Sequence, residues 1–180
     1  MKFGYLGTTD GAYDFNKTLE YFVKFKNFFH NSKIIIISKD NHSKIIQFLN
    51  KNNIKKDEYE IFNLDYTEIY KILINIDIGI FFLNNNDSIK ASFPTKISEY
   101  FFCNKPILCN NFNIDIQETL NQKRGLIIND STKIDLNLCN KLKKIVYENN
   151  KNEYCHNYAK ENLTVDKVFS KIIKCYQSIK

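Results

Sequence analysis

Two continuous apolar runs constrain the fold of this chain more than any other feature. Residues 33–38 contain four consecutive isoleucines, and residues 76–83 are apolar at six of eight positions. A strand that is covered on both faces reads as such a run, whereas a half-exposed strand alternates apolar and polar residues. Both runs are therefore predicted to be buried strands inside a sheet that carries helices on its two faces.

Strand and helix patterns alternate along the whole chain. Strands are predicted at residues 2–7, 33–38, 59–63, 76–83, 106–109 and 125–128. Helices are predicted at residues 15–30, 43–52, 67–75 and 115–122, in a short segment after Pro94, and from about residue 130 to Ile179 with a break at 149–152. Such alternation indicates parallel βαβ units, whose crossovers are right-handed. We therefore expect an α/β, doubly wound, Rossmann-like fold with six parallel strands in the order 3-2-1-4-5-6.

The chain is predicted to form one domain over residues 1–180. Its hydrophobic content of 43% supports a substantial core, and we find no internal repeat or Pro/Gly-rich linker in the sequence.

The net charge of +6 raises the question of nucleic-acid binding. The basic residues are spread along the chain instead of clustered, all but Arg124 are lysines, and no nucleic-acid motif accompanies them. We therefore expect no nucleic-acid partner. A weaker alternative is that some lysines hold the parent enzyme peripherally on an anionic membrane surface.

Metal and disulfide chemistry find little support in the sequence. The five cysteines include no C-x-x-C pair, and the three histidines are scattered. We expect reduced, mostly buried thiols, no metal and no cofactor.

Met1 leads directly into a strand pattern, and no apolar run approaches the ~20 residues of a membrane span. The sequence thus predicts a soluble, cytoplasmic domain without a signal peptide.

Residues 91–108 carry the strongest functional pattern. Pro94 suits the first turn of a helix, and the apolar side chains that follow fall on one face of that helix. Lys96 and Glu99 lie three residues apart on another face. The amides of Thr95 and Lys96, the helix dipole and the lysine ammonium together predict an anion site. Since a carboxylate one turn further accepts hydrogen bonds from a sugar diol, the pattern indicates a nucleotide.

The segment resembles the donor-site signature of GT-B glycosyltransferases, especially the retaining enzymes of family 4, in the form S-x-P-T-K-x-x-E-Y-x-x-x-x-x-P. The matching residues are Ser92, Pro94, Thr95, Lys96, Glu99, Tyr100 and Pro106. The resemblance implies half of a GT-B fold, namely its C-terminal, nucleotide-sugar-binding domain. It also implies a retaining, metal-independent reaction and an N-terminal acceptor domain or partner subunit that this chain lacks.

The resemblance assigns roles to individual residues. Glu99 would bind the ribose hydroxyls and Lys96 the diphosphate, while Tyr100 and Phe101 pack in the core. The other positions implied in nucleotide-sugar binding are Gly7, Thr8, Ser38, Lys39, Asn63, Leu64, Ser92 and Thr95. Simpler alternatives stay open for most of them. Gly7 fits a plain strand-to-helix turn, and the hydroxyls of Thr8 and Thr9 fit a turn cap. The residues after the second and third strands fit ordinary loops, and Lys96 and Glu99 fit an exposed ion pair worth about 0.3 kcal/mol.

Several positions depart from the family pattern, and two of them bear on the ligand. Ala91 stands where many members have the first of two glutamates, and Thr8 stands where an arginine is usual. The first departure leaves the identity of the sugar open, and the second makes Lys96 the main candidate for the compensating charge.

The leading hypothesis is a donor-binding domain of a glycosyltransferase that moves a sugar from a nucleotide diphosphate sugar to a glycan or lipid-linked acceptor, as in polysaccharide biosynthesis. The isolated domain is expected to be inactive because half the cleft is absent. One alternative is a fragment of a nucleotide-sugar epimerase, which would need a proton-transfer cluster that the sequence does not show. Another is a non-catalytic nucleotide-binding or interaction module, which Ala91 and Thr8 favour.

Overall fold

The computed structural model describes the backbone of residues 1–178 and their side chains except those of residues 171, 174, 175 and 178. Its strands are β1 (Lys2–Leu6), β2 (Lys33–Ile37), β3 (Tyr59–Phe62), β4 (Ile78–Ile80), β5 (Ile107–Cys109) and β6 (Gly125–Ile127). They form one six-stranded sheet in the order β3-β2-β1-β4-β5-β6, and every pair is parallel. The predicted fold class and strand order are confirmed.

Helices connect the strands and cover both faces of the sheet. They are α1 (Phe15–Lys26), α2 (His42–Lys51), α3 (Ile69–Leu73), α4 (Asp87–Lys90), α5 (Lys96–Phe102), α6 (Ile114–Leu120), α7 (Leu136–Asn152), α8 (Tyr154–Asn162) and α9 (Val165–Ser178). Single 3₁₀ turns at Lys56–Glu58 and Tyr66–Glu68 flank β3.

Side chains of short polar residues fix where several helices begin. Asp14 accepts a hydrogen bond from the Lys17 amide at 2.9 Å, and Asn113 accepts one from the Ile116 amide at 2.9 Å. Asp135 does the same for α7, with the Leu138 amide at 3.0 Å. Each oxygen satisfies one of the amides that a helix leaves free at its N-terminus.

The central strands are buried, as their apolar runs predict. Ile34, Ile36, Ile78 and Ile80 are fully shielded from solvent. Strand β1 lies between β2 and β4, with Phe3 opposite Ile34 on one side and Ile78 on the other. The order of strands along the chain therefore reverses at β1 and β4.

Tyr100 anchors α5 to the sheet. Its ring fills the space over Gly79, where an added Cβ would lie 2.8 Å from ring carbons, and its hydroxyl donates to the Gly4 carbonyl at 2.9 Å. Ile97 and Phe101 are buried on the same side of the helix. The predicted core face of the helix is confirmed, and Lys96 is the first residue of the helix.

Several predicted boundaries are wrong. Only Ile78–Ile80 of residues 76–83 forms a strand, because the chain beyond it bonds to loops: the Phe82 carbonyl accepts from Asp14 N, and the Leu83 amide donates to Asn110 Oδ1. The predicted third helix begins as a 3₁₀ turn, and the first helix ends at Lys26.

The C-terminal helical region is divided twice. Glu153 adopts a left-handed conformation, with φ 53°, and ends α7 just after the predicted break at residues 149–152. A second interruption separates α8 from α9. The predicted end of the last helix, Ile179, lies outside the described residues.

The thiols agree with the prediction as far as they are described. Cys109, Cys139 and Cys155 are buried and free, and Cys103 is partly buried and free. The side chain of Cys175 lies outside the described set. Within that set, no group of three or more His, Cys, Asp or Glu side chains is placed to hold a metal ion. Among the described helices, none is long and apolar enough to cross a membrane.

Candidate functional site

A cavity of about 340 Å³ lies at the carboxyl ends of β1, β2 and β3. Its lining residues are Leu6, Gly7, Thr8, Tyr13, Ile37, Ser38, Lys39, Leu64, Tyr66, Ile69 and Lys96. The position follows from topology, since ligands of open α/β sheets bind beyond the strand ends where the strand order reverses. Lys96 reaches it from α5, which follows β4.

The cavity brings together six of the ten predicted site residues. Gly7, Thr8, Ser38, Lys39, Leu64 and Lys96 all line it, although up to 89 positions separate them in sequence. The remaining predicted residues lie elsewhere. Asn63 and Thr95 are exposed, and Ser92 uses its hydroxyl to donate to the Ile89 carbonyl at 2.9 Å. None of these three lines the cavity.

Glu99 lines a second cavity of about 630 Å³, which shares Tyr66 and Ile69 with the first. The Lys96 Nζ lies 3.3 Å from Glu99 Oε1, so this ion pair joins the two cavities. Only 25% of the lysine side chain and 14% of the glutamate side chain are exposed. The ion pair of the simpler alternative is therefore present, but it is largely buried instead of exposed.

One oxygen of the pair has no partner. Glu99 Oε2 is shielded from solvent and makes no hydrogen bond within the described part of the chain. An unsatisfied buried carboxylate oxygen is costly, because it has given up water without replacing it. The carboxylate thus keeps one strong acceptor position for a hydroxyl or amide donor.

The start of α5 differs in detail from the prediction. Thr95 is the residue before the helix and Lys96 is its first residue, so Pro94 lies outside the first turn. The Ile97 amide donates to the Pro94 carbonyl at 3.1 Å, which holds the proline against the helix start. Lys96 keeps its predicted place at the N-terminal end.

The loop after β1 is tied internally. Gly7 adopts φ 155°, a conformation that residues with a Cβ rarely take. The Thr8 hydroxyl donates to the Asp10 carbonyl at 2.9 Å, and the Thr9 hydroxyl donates to Asp40 Oδ2 at 2.7 Å. Both hydroxyl protons are used within the protein, which favours the turn-capping alternative for the two threonines.

Asp40 connects the loops after β1 and β2. Partial burial opposes ionisation of its carboxyl, but hydrogen bonds from the Thr9 amide and hydroxyl and the charge of Lys44 outweigh it and lower the pKa of Asp40. Stability from this group is fully present above the unfolded pKa and is lost as pH falls through the lower folded pKa.

Replacing Asp40 with asparagine is expected to lower the free energy of unfolding by about 1 kcal/mol at pH 7. The difference from the unsubstituted protein should shrink below pH about 4, where the aspartate is protonated in the unfolded chain. Denaturant titrations at several pH values measure it. Asp57→Asn is the control, because Asp57 is exposed in the 3₁₀ turn before β3. An equal loss in both variants, or no dependence on pH, would contradict the assigned role.

Sequence reasoning missed the aromatic and aliphatic part of the lining. Tyr13, Tyr66 and Ile69 enter the cavity from loops and a short helix, at positions without a motif. One general feature of the sequence could have indicated them: large apolar residues that follow the end of a strand in an α/β sheet lie close to the ligand position. Burial and the charge of Glu99 raise the pKa of Tyr13 to about 12, so its phenol stays neutral.

No protein-family model matches the sequence, and no curated protein matches it. Solved structures of similar fold cover nearly the whole chain. TarM from S. aureus, in complex with Fondaparinux, alpha-GlcNAc-glycerol and UDP, has a TM-score of 0.66 at 12% identity over 96% of this chain and 34% of its own. HepE from Anabaena, in complex with UDP, has a TM-score of 0.68 at 11% identity over 98% of this chain and 48% of its own.

A third similar structure is a single domain. It is the C-terminal domain of a glycosyl transferase group 1 family protein, LpcC, from Francisella tularensis, with a TM-score of 0.64 at 12% identity over 91% of this chain and 86% of its own. This chain therefore spans between a third and a half of TarM and HepE, and nearly all of the LpcC domain. At these identities the likeness establishes the fold, which is that of a C-terminal GT-B domain.

Proposed function

We propose that this chain is the donor-binding domain of a glycosyltransferase that transfers a sugar from a nucleotide diphosphate sugar to a glycan or lipid-linked acceptor. The observation that carries the proposal is the cavity at the switch point of the sheet, which gathers six residues that the resemblance implies in nucleotide-sugar binding. The UDP in the TarM and HepE structures supports a nucleotide as the ligand of this fold.

The chemistry of the lining suits a nucleotide in two parts. Leu6, Ile37, Leu64, Tyr66 and Ile69 give an apolar and aromatic wall for a base. Lys96 gives a cation for a diphosphate, and the carboxylate of Glu99 beside it is an acceptor for ribose hydroxyls. Both charged groups lie on α5, whose position Tyr100 fixes.

The proposed reaction breaks the bond between the anomeric carbon of the sugar and the diphosphate oxygen. It forms a bond from that carbon to a hydroxyl oxygen of the acceptor, whose proton is lost to the departing diphosphate or to solvent. The electron pair stays on the diphosphate, whose negative charge therefore grows as the bond lengthens. Lys96 stabilises that charge more in the transition state than in the bound substrate, which is the condition for acceleration. Retention of configuration and independence of a metal ion are parts of this proposal that the family resemblance implies.

The acceptor and half of the cleft would come from a second domain or a partner subunit. The length of TarM and HepE supports this, since this chain matches less than half of either. Helix α9 offers a surface for such a contact. Its exposed apolar side chains recur at helical spacing and include Val165, Val168, Phe169, Ile172, Ile173 and Tyr176.

A cytoplasmic location belongs to the proposal as well, and the free thiols agree with it.

Calorimetric titration of residues 1–180 with UDP, GDP, ADP and CMP tests donor binding directly. We expect one of them to bind with saturation at a single site and to raise the melting temperature, because a ligand that binds only the folded state stabilises it. Binding of CMP alone, or of none of the four, would overturn the proposed function, because the proposed donor is a nucleotide diphosphate sugar.

The isolated domain is expected to transfer no sugar. A GT-B cleft is closed by two domains, and the described residues provide one sheet and one set of strand ends. Incubation with radiolabelled nucleotide sugars and glycan acceptors, followed by separation of the products, measures transfer. Transfer at rates comparable to those of a complete enzyme would contradict the need for a second domain.

A further inference from the structure

We propose that the hydroxyl of Tyr13 is a further ligand of the donor, and that it donates a hydrogen bond to the diphosphate beside Lys96. This inference rests on the proposed function, because it names a contact within the same cavity. Neither the signature nor the predicted site residues include Tyr13.

The first argument is position. Tyr13 lines the first cavity together with Gly7, Thr8 and Lys96, the residues at its anion-binding end. Its ring lies over Gly7, with Cε2 3.5 Å from the place of an added Cβ. The charge of Glu99 acts on the Tyr13 phenol. Tyr13 therefore lies near both members of the Lys96–Glu99 pair.

The second argument is a free donor. Tyr5, Tyr21 and Tyr100 donate their hydroxyl protons to the carbonyls of Thr8, Asn129 and Gly4. The Tyr13 hydroxyl makes no hydrogen bond to any described residue. The hydroxyl of a half-buried tyrosine normally has a hydrogen-bond partner. Because Tyr13 lines the cavity, an oxygen of a bound ligand can accept this hydrogen bond.

The third argument is rigidity. The Tyr13 ring packs edge to face on Tyr5 and Phe81, with centroid distances of 6.2 and 6.1 Å. Tyr13 also forms an isolated antiparallel bridge with Leu83, and the next amide, Asp14 N, donates to the Phe82 carbonyl at 2.8 Å. The hydroxyl is thus held in place before a ligand arrives, so binding costs little side-chain entropy.

The fourth argument is that several donors beside Tyr13 are already engaged within the protein. Lys96 shares its charge with Glu99, and the hydroxyl protons of Thr8 and Thr9 are already donated within the protein. A diphosphate has many acceptor oxygens, and a neutral, permanently protonated phenol supplies a donor without adding charge.

The variant Tyr13→Phe tests the inference, because it removes the hydroxyl and keeps the ring. Titrations use UDP, GDP and ADP with their matching nucleosides uridine, guanosine and adenosine. We expect the affinity for the diphosphate that binds best to fall about tenfold, and the affinity for its nucleoside to stay the same. The control Tyr21→Phe removes a hydroxyl that donates to the Asn129 carbonyl, and it should leave both affinities unchanged.

The possible outcomes separate the inference from the proposed function. If the unsubstituted chain binds none of the diphosphates, the proposed function is wrong. If it binds one of them and Tyr13→Phe binds it equally well, only the inference is wrong. An equal loss for diphosphate and nucleoside would also overturn it, since it would show that Tyr13 acts on the nucleoside or through Glu99. Melting curves of each variant establish that it is folded.

Discussion

Replacing Lys96 with alanine is expected to weaken the binding of a nucleoside diphosphate by roughly ten- to a hundredfold. A charge-assisted hydrogen bond of this kind is worth about 1.5–3 kcal/mol, which corresponds to that range. Glu99→Gln is expected to weaken nucleotides with an intact ribose more than analogues without the ribose hydroxyls. Calorimetric titration of both variants measures these losses.

Loss of the ligand contact must be distinguished from loss of the fold. Lys96→Ala leaves the mostly buried Glu99 carboxylate without its partner, and an uncompensated charge of this kind destabilises a protein. The double variant Lys96→Met/Glu99→Gln removes both charges and should recover much of the stability, but not the affinity. A double variant that regains affinity would show that Lys96 matters only for folding.

Lys90 provides a matched control for Lys96. It pairs with Asp87 at the same spacing of three residues, at 2.8 Å, but 58% of the lysine and 96% of the aspartate side chain are exposed. Lys90→Ala should change stability by a few tenths of a kcal/mol and leave nucleotide affinity unchanged. Equal effects of Lys90→Ala and Lys96→Ala on affinity would indicate a general charge effect and would contradict the assignment of the site to Lys96.

Replacing Tyr100 with alanine is expected to lower the free energy of unfolding by about 4 kcal/mol. The ring is fully buried, and removal of a large aromatic side chain from a core costs about 3–5 kcal/mol through lost burial and the resulting void. This is a large part of the total stability of a domain, which is about 5–15 kcal/mol. Tyr100→Phe should cost about 1 kcal/mol, since it loses only the hydrogen bond to the Gly4 carbonyl. Denaturant titration gives both values.

Gly79 makes this prediction more specific. An added Cβ at Gly79 meets three atoms of the Tyr100 ring at 2.8–2.9 Å, so Gly79→Ala alone should destabilise the protein. In the Tyr100→Ala background the same methyl group enters the void and should be neutral or stabilising. A double-mutant cycle measures the coupling. Additive effects would mean that the ring does not occupy the space above the glycine.

The sheet and its strand order follow from local features of the sequence. The isoleucine run of β2 and the apolar segment around β4 define buried strands, and the helices between them require right-handed parallel crossovers. Helix-capping residues such as Asp14 and Asp135 lie next to the helices that they begin. These signals involve neighbouring residues, so the sequence contains them without knowledge of the tertiary structure.

Spacing within α5 likewise predicted that Lys96 and Glu99 share a face and that Tyr100 is buried. The predicted length of β4 was wrong because apolar character indicates burial, whereas a strand also needs a partner for its hydrogen bonds. Phe82 and Leu83 are buried, but their backbone groups bond to loop residues Asp14 and Asn110. The number of residues in that strand was set by these non-local partners.

Only the tertiary structure decided how the cavity is lined and which of its polar groups are free. Tyr13 and Tyr66 meet Lys96 there because three loops end at one edge of the sheet. The Thr9 hydroxyl is used by Asp40, while the Tyr13 hydroxyl and Glu99 Oε2 make no hydrogen bond to described residues. Such pairings depend on the directions of side chains that lie on distant loops. No periodic pattern in the sequence encodes those directions. The sequence determined the fold and most of the residues that line the cavity, and packing determined which polar groups there make no hydrogen bond within the described part of the chain.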